Sequence, residues 1–379
     1  MADSPFLIVG GGVAGLAAGL GLARIGKPSR IFEKAPSFDE IGAGLQLGPN
    51  AVRALQYLGA WDAIAPHCVA PAEIHVRDGI SGNILQCIPL GAEFEKQFGA
   101  PYRVAHRADL QNALLESVRS SSDIELQGKA EVTEVSTAET TLTLKSGKTF
   151  TGQAIFAADG VHSTIRDLVT GQHGRRQSNH AQHRGLVPIG SIPANANADV
   201  VALWLYPGGH VVHYAVSNGK QFNIVAAVED SEISLGSAFQ QACKPLADIL
   251  AAKIKWSKWP ALAFAPVGNW SRNRTVLMGD AAHASLPYLA QGAAMALEDA
   301  CVLSSLLKNA NDIPLAFQEF FKQRHVRTQA IQRKSRQLGK IYHARGFSRL
   351  VRNAVLKATP PQSFANQLSW IYEWKMEGK

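Results

Sequence analysis

The sequence predicts an α/β protein. It reads as a parallel nucleotide-binding sheet, a mainly antiparallel sheet inserted into it, and helices at the C-terminal end. Three observations carry this. Residues 6–33 run strand, glycine turn, helix, strand, acid. Residues 182–228 are mostly strand pattern, with turns at Pro207-Gly208-Gly209 and Asn218-Gly219. From residue 297 onward the pattern is helical.

The chain has 379 residues, enough for a large core or for two domains sharing one. An apolar fraction of 46% with 18% charged residues excludes a disordered chain. The four cysteines (Cys68, Cys87, Cys243, Cys301) are scattered, form no CxxC pair, and suit a reducing cytosol. Residues 13–25 are apolar but lack the basic flank of a signal peptide. No window approaches the roughly 18 apolar residues of a spanning helix. A soluble, unprocessed, cytoplasmic protein is expected.

Net charge is +8, with much of the excess at Arg324, Arg327, Arg333, Lys334, Arg336, Lys340, Arg345 and Arg349. The simplest reading is a solvated helical face. No nucleic-acid module is visible, and the field suits attraction of anionic small molecules.

Phe6-Leu7-Ile8-Val9 is a buried-strand signal running into Gly10-Gly11-Gly12-Val13-Ala14-Gly15, which satisfies G-x-G-x-x-G at Gly10, Gly12 and Gly15. Gly10 permits the tight turn, Gly12 lets the backbone approach a pyrophosphate, and Gly15 lets helix and strand pack closely. The helix N-terminus offers free amides and positive potential to phosphates. Glu33 ends the second strand and is placed to accept from both ribose hydroxyls. Together these make the full dinucleotide fingerprint.

Gly42, Gly44 and Gly48 lie in residues 41–49. They read either as a surface loop or as backbone lying close to a flat ring. A helix follows over 51–58, then strand pattern at 73–77 and 84–88, a first excursion into the second sheet. Tyr102 precedes a short run that enters a helix at Arg107. Arg107 reads equally as a phosphate ligand or as half of a surface ion pair. Alternating strand pattern at 131–135, at 141–144, then at Phe150 and at 154–158, forms a meander expected to cross over the parallel sheet. The last of these ends in Asp159-Gly160 and opens D-G-x-x-S-x-x-R, with Ser163 and Arg166 on the next turn. Helical pattern returns over 237–250, and 256–270 is extended.

Residues 276–299 hold a second nucleotide-type motif. A short apolar run ends in Gly279-Asp280, a loop carries Pro287, and Gly292 opens an Ala-rich helix. Two such motifs this far apart predict one long cofactor gripped at both ends. The cofactor domain is then discontinuous (1–70, 96–176, 260–330), with a substrate-binding domain of 71–95 and 177–259 and C-terminal helices over 331–379.

Period-two alternation places His210, Val212 and Tyr214 on one strand face and His213 on the other. From residues alone, His210 is either a general base or a satisfied sheet histidine. His283 reads as shaping its loop.

With these motifs in order, the whole chain resembles the single-component flavoprotein aromatic hydroxylases. It is most similar to the salicylate hydroxylase-like branch, which includes 3-hydroxybenzoate 6-hydroxylase and 6-hydroxynicotinate 3-monooxygenase. The motifs carrying the resemblance are the N-terminal G-x-G-x-x-G, the central D-G-x-x-S-x-x-R, and G-D-A-A-H-x-x-x-P with A-Q-G-x-x-M-A-L-E-D-A. The resemblance implies a Rossmann-like FAD-binding domain (GR2-type, parallel sheet with β-meander). The implied cofactor contacts are Gly10, Gly12, Val13, Ala14, Gly15, Glu33 and Lys34 at the adenine end. Arg107 is implied at the phosphates, Asp159 in a motif tied to both FAD and NAD(P)H, and Asp280 at the ribityl and pyrophosphate region. Gly44, Leu45, Pro287, Gln291, Gly292 and Ala293 fall beside the ring. The same likeness makes His210 the base and Tyr214 a substrate hydrogen-bond donor, with Tyr102 and Pro287 as weaker substrate contacts.

The implied reaction uses NADH or NADPH and O2. Hydride passes from nicotinamide to flavin, and a flavin C4a-hydroperoxide hydroxylates a small phenolic or hydroxypyridine acid. Glu33 faces the FAD ribose and does not choose between NADH and NADPH. Alternatives are epoxidation or hydroxylation of a larger polycyclic substrate, an NAD-dependent dehydrogenase, and a flavin-binding protein without turnover. No metal motif is seen, the hydrolase Gly-x-Ser-x-Gly elbow is absent, and the tryptophan spacing at Trp256 and Trp259 does not suit a flavin halogenase. A homodimer is implied only by the resemblance.

Overall fold

The computed structural model describes residues 4–38, 43–172, 176–193 and 195–376. The apolar run Phe6–Val9 is buried at all four positions, as a strand covered on both faces must be. It lies between Ile155–Ala157 and Ser29–Phe32, parallel to both, with Ile8 opposite Phe156 and Ile31. The six-stranded sheet is completed by Ile124–Gln127 at one edge. Thr275–Leu277 and the antiparallel pair of residues Ser271–Arg272 lie at the other. Both glycine-terminated strands of the sequence, those ending at Val9 and at Leu277, run parallel and therefore finish at the same carboxyl end of the sheet. The helices that follow them, Val13–Ala23 and Gly292–Leu307, pack on each other. The strands Val132–Ser136, Thr141–Leu144 and Thr149–Thr151 form a separate antiparallel meander.

A second sheet has seven strands. Ser257–Ala263, Arg176–Pro188, Gln221–Val228, Gly209–Val216 and Val200–Tyr206 pair antiparallel in that order. Glu73–Asp78 joins Val200–Tyr206 in parallel and pairs antiparallel with Ile84–Pro89. A two-stranded ribbon, Gly44–Leu47 with Arg103–His106, brings Gly44 opposite His106. It puts the glycine-rich loop beside Arg107.

Two expected elements differ. The helix over 237–250 is two short helices, Leu235–Ala238 and Lys244–Ala251. Pro245 has no amide hydrogen to continue a helix and instead starts the second one. The basic C-terminal face is only partly solvated. On the 30-residue helix Ile313–Tyr342, Arg324 is 1% exposed and bonded to Glu298 and Asp299, and Arg327 also binds Glu298. Arg349 and Arg352 grip the buried Asp78. Three of the expected surface cations, Arg324, Arg327 and Arg349, together with Arg352, thus tie the C-terminal helices to the helix Gly292–Leu307 and to the strand Glu73–Asp78. Among the described residues no helix is long and apolar enough to cross a membrane.

Candidate functional site

Gly10 has φ +104°, and a Cβ there would sit 2.4 Å from the Ala158 carbonyl oxygen. A Cβ on Gly15 would sit 1.9 Å from the Gly10 carbonyl oxygen. Both glycines are demanded by backbone packing. Gly12 and Gly292 are different, because a Cβ on either meets no protein atom within 4 Å. The space they leave open is cavity.

Three cavities run end to end. The first, about 460 Å³, is lined by Gly10, Gly12, Glu33, Lys34 and Asp159 together with the meander residues Glu131 to Val135. The second, about 340 Å³, takes in Val13, Ala14, Gly44, Leu45 and Arg107 on one side, and Asp280, Pro287, Gly292 and Ala293 on the other. It shares Gly12 and Gly160 with the first. The third, about 680 Å³, is mostly apolar, is lined in part by Tyr102, and shares Gln46, His210, Val212 and Pro287 with the second.

In the first cavity Glu33 is already fixed. Its Oε2 accepts from the Gly11 amide at 2.7 Å and its Oε1 from the Ala35 amide at 2.8 Å. Each oxygen keeps a lone pair for one further donor. Asp159 Oδ1 is buried with no partner among the described residues, and burial holds this carboxyl above its usual range. An orphaned buried acceptor beside an open glycine cradle fits a polar ligand in this space.

The central motif proves to be a strut. Ser163 Oγ accepts from the Arg166 amide at 3.0 Å. The Arg166 guanidinium lies 3.9 Å over Phe264 and donates to the carbonyls of Ala281 and Ala282 at 2.9 and 2.7 Å. It thereby locks the loop of Asp280, whose own carboxylate is exposed toward the second cavity. Behind that loop Asp299 Oδ2 accepts from the Gly279 amide at 2.9 Å.

The face that the second sheet turns toward the second cavity is set by register. His210 lies opposite Ala227, which faces Gln182; Val212 lies opposite Val225, which faces Arg184; Tyr214 lies opposite Asn223. Asn223 Oδ1 accepts from the Gly44 amide at 2.7 Å and ties the ribbon that carries Gly44 to the sheet. Gln46 Oε1 accepts from the Tyr102 hydroxyl at 2.5 Å, and Gln46 lines the second cavity together with Tyr214. His210 is buried, and desolvation drives its imidazole well below the ordinary range, with His343 and His180 adding to the effect. Burial raises the Tyr214 phenol. His213, on the opposite face, accepts from the Trp204 indole at 2.9 Å, as a structural histidine does.

Of the residues implied as cofactor, substrate or catalytic contacts, Gly15 and Gln291 line none of the three cavities. Gly15 packs against its own turn. Gln291 turns inward, its Oε1 accepting from Asn50 at 2.9 Å. Gly42 lies outside the described residues. Sequence reasoning missed Arg184 and Asn223, because cross-strand neighbours are invisible until the register is known, and Gln46 and the histidines around His210, because distant elements bring them there. The same holds for Glu73, His75 and Cys87, whose ligand-type atoms lie within 4.8 Å of one another. They alternate with the cavity-lining Ile74, Val76 and Ile88 and so occupy the opposite sheet face.

Residues 3–311 match the family model described as an FAD binding domain. The chain is 36% identical to a 3-hydroxybenzoate 6-hydroxylase from Polaromonas naphthalenivorans (strain CJ2), over 99% of this chain and 97% of the relative. It is 33% identical to a 3-amino-4-hydroxybenzoate 2-monooxygenase from Streptomyces cremeus, over 98% of this chain and 95% of the relative. Among solved structures it is similar to Klebsiella pneumoniae HpxO complexed with FAD and uric acid. That likeness has a TM-score of 0.87 and 25% identity, covering 97% of each chain.

Proposed function

The chain belongs to this FAD binding domain family, and on that premise we propose that it is an FAD-dependent monooxygenase that hydroxylates a small phenolic or hydroxypyridine acid with NAD(P)H and O2. The observation that carries the reading is the seam between the second and third cavities. His210, Gln46 and Pro287 line both, so a ring in one lies against a ring in the other with a basic nitrogen between them.

Gly12, Glu33, Lys34 and Asp159 would hold the adenosine half of FAD. Arg107 and Asp280 would hold its middle, and Gly44, Leu45, Gly292 and Ala293 its ring. Bound FAD supplies hydride acceptance and oxygen activation. The chain's own residues bind the substrate, exclude water and move a proton. His210 is the base that takes the phenol proton, which makes the ring more electron-rich. Tyr214 and Tyr102, the latter bonded to Gln46, orient the substrate, and Arg184 places a positive charge in the second cavity for a carboxylate. The strand membership of the second sheet supports the discontinuous division of the chain into cofactor and substrate domains. A cytoplasmic homodimer is part of the same reading.

The third cavity supports a second reading, a larger polycyclic substrate. About 680 Å³ is the room of a drug-sized ligand rather than one ring. The deciding experiment screens aromatic acids and polycyclic phenols for stimulation of NADH and NADPH oxidation and identifies the product by mass. A yellow protein that no aromatic compound stimulates would refute the monooxygenase.

A further inference from the structure

We propose that His343 and Glu229 form a proton exit behind His210, carrying the substrate's proton from the cavity to solvent. The proposal rests on the reading of His210 as the base. His210 Nδ1 lies 2.9 Å from His343 Nε2, and His343 Nδ1 lies 3.2 Å from Glu229 Oε1. The two imidazoles stack with centroids 5.2 Å apart and planes 27° from parallel. Both histidines are buried, whereas the Glu229 side chain is 34% exposed and paired with the exposed Arg345. The three groups thus run from the cavity wall to the surface without a gap wider than a hydrogen bond.

One backbone turn sets all three. Gly208, with φ +76°, immediately precedes the strand that carries His210. Its amide donates to the His343 carbonyl at 3.0 Å, and its carbonyl accepts from the Glu229 amide at 3.0 Å. A Cβ on Gly208 would sit 2.3 Å from the Arg345 guanidinium, so the turn also seats the cation that holds Glu229.

The tautomers follow from the carboxylate, which can only accept. Glu229 takes the hydrogen bond from His343 Nδ1–H. Neutral His343 then has a bare Nε2, which accepts from His210 Nδ1–H. Neutral His210 is left with a bare Nε2 on its cavity side, where a base is needed. Deprotonation then balances. The phenol O–H breaks as His210 Nε2–H forms. The His210 Nδ1 proton moves to His343 Nε2, and the His343 Nδ1 proton moves to Glu229 and on to water. The logic is that of a hydrolase triad, in which a carboxylate fixes the imidazole that acts.

The surrounding groups keep the pair neutral. His180 on Arg176–Pro188 lies 5.9 Å from His343, and it bonds to the Tyr288 hydroxyl. Tyr288 lies tilted against the His210 ring, Tyr342 meets it edge-on, and Arg345 stands at the outer end. Burial is the largest influence on His343, pulling it down to about 4 against the opposing pull of Glu229.

The test uses FAD-loaded enzyme labelled with 15N-histidine, with His210→Gln and His343→Gln spectra assigning the two rings. At pH 7 both rings should be neutral Nδ1–H tautomers. Glu229→Gln should keep the flavin and erase that preference. Its kcat for the aromatic acid selected by the screen should fall roughly 10- to 100-fold with KM little changed, and Glu229→Asp should recover part of the loss. An Nε2–H tautomer on either ring of the wild type overturns the proposal. So do Glu229→Gln and His343→Gln variants with wild-type kcat. Normal hydroxylation by His210→Ala would instead strike at the base itself.

Discussion

His283 Nε2 lies 2.6 Å from Asp299 Oδ2, and neither side chain reaches solvent. The same carboxylate accepts from the Gly279 amide and from Arg324, so one acid on the helix Gly292–Leu307 holds the loop that presents Asp280. Burial alone would raise the Asp299 carboxyl. His283 and Arg324 outweigh it and hold the group below its ordinary range.

Removing one partner of such a network leaves a buried charge unpaired, which costs about 3–5 kcal/mol. Arg324→Met should therefore lower the thermal midpoint sharply and reduce flavin content with it. A depressed carboxyl contributes stability above its unfolded pKa, near 3.9, and loses it as pH falls through the lower folded value. Urea titrations of wild type should show stability falling below about pH 4, with a shallower fall in Arg324→Met. Equal midpoints for the two proteins at pH 7 would refute the role given to the network.

Asp280 itself is exposed to the second cavity and bears no such load. Asp280→Ala should leave the apoprotein's thermal midpoint unchanged. It should weaken FAD binding by roughly 10- to 100-fold, the loss of a hydrogen bond to a charged group. Fluorescence titration of apoprotein with FAD measures this, and an unchanged Kd would count against the assignment.

The contrast between Gly12 and Gly15 separates cofactor from fold. A Cβ on Gly15 would collide with the Gly10 carbonyl, so Gly15→Ala should destabilise the apoprotein by about 1–3 kcal/mol or more. A Cβ on Gly12 meets nothing, so Gly12→Val should fold normally and fail to hold FAD. A Gly12→Val protein that purifies fully yellow would show that the first two cavities do not seat the cofactor.

These residues also show what a sequence discloses. The Gly10 to Glu33 fingerprint was legible because every part lies within one βαβ unit, where spacing alone fixes geometry. His210, Val212 and Tyr214 were legible as one face because strand period is local. His343 was not, since it stands 133 residues from His210 and meets it only when the C-terminal helices close on the sheet. Arg324 was misread as a surface cation because helical charge patterning does not reveal a buried Asp299 on another helix. Arg166 carried a recognisable motif, but its purpose as a strut under Asp280 required the fold.

His210→Ala is the central test of the chemistry. The side chain is buried but borders two cavities, so its removal enlarges a space already present, and FAD should stay bound. General-base assistance contributes roughly 10²–10⁴-fold, so hydroxylation of a phenolic acid should fall by that order. Burial holds the His210 imidazole far below its ordinary range, so it stays neutral and able to accept a proton throughout the neutral range. The wild-type kcat should therefore show no loss attributable to His210 between about pH 6 and 8, where an ordinary histidine of pKa near 6.5 would titrate. Product yield per NAD(P)H consumed, followed across that range, checks both statements. Wild-type turnover by His210→Ala would rule His210 out as the base.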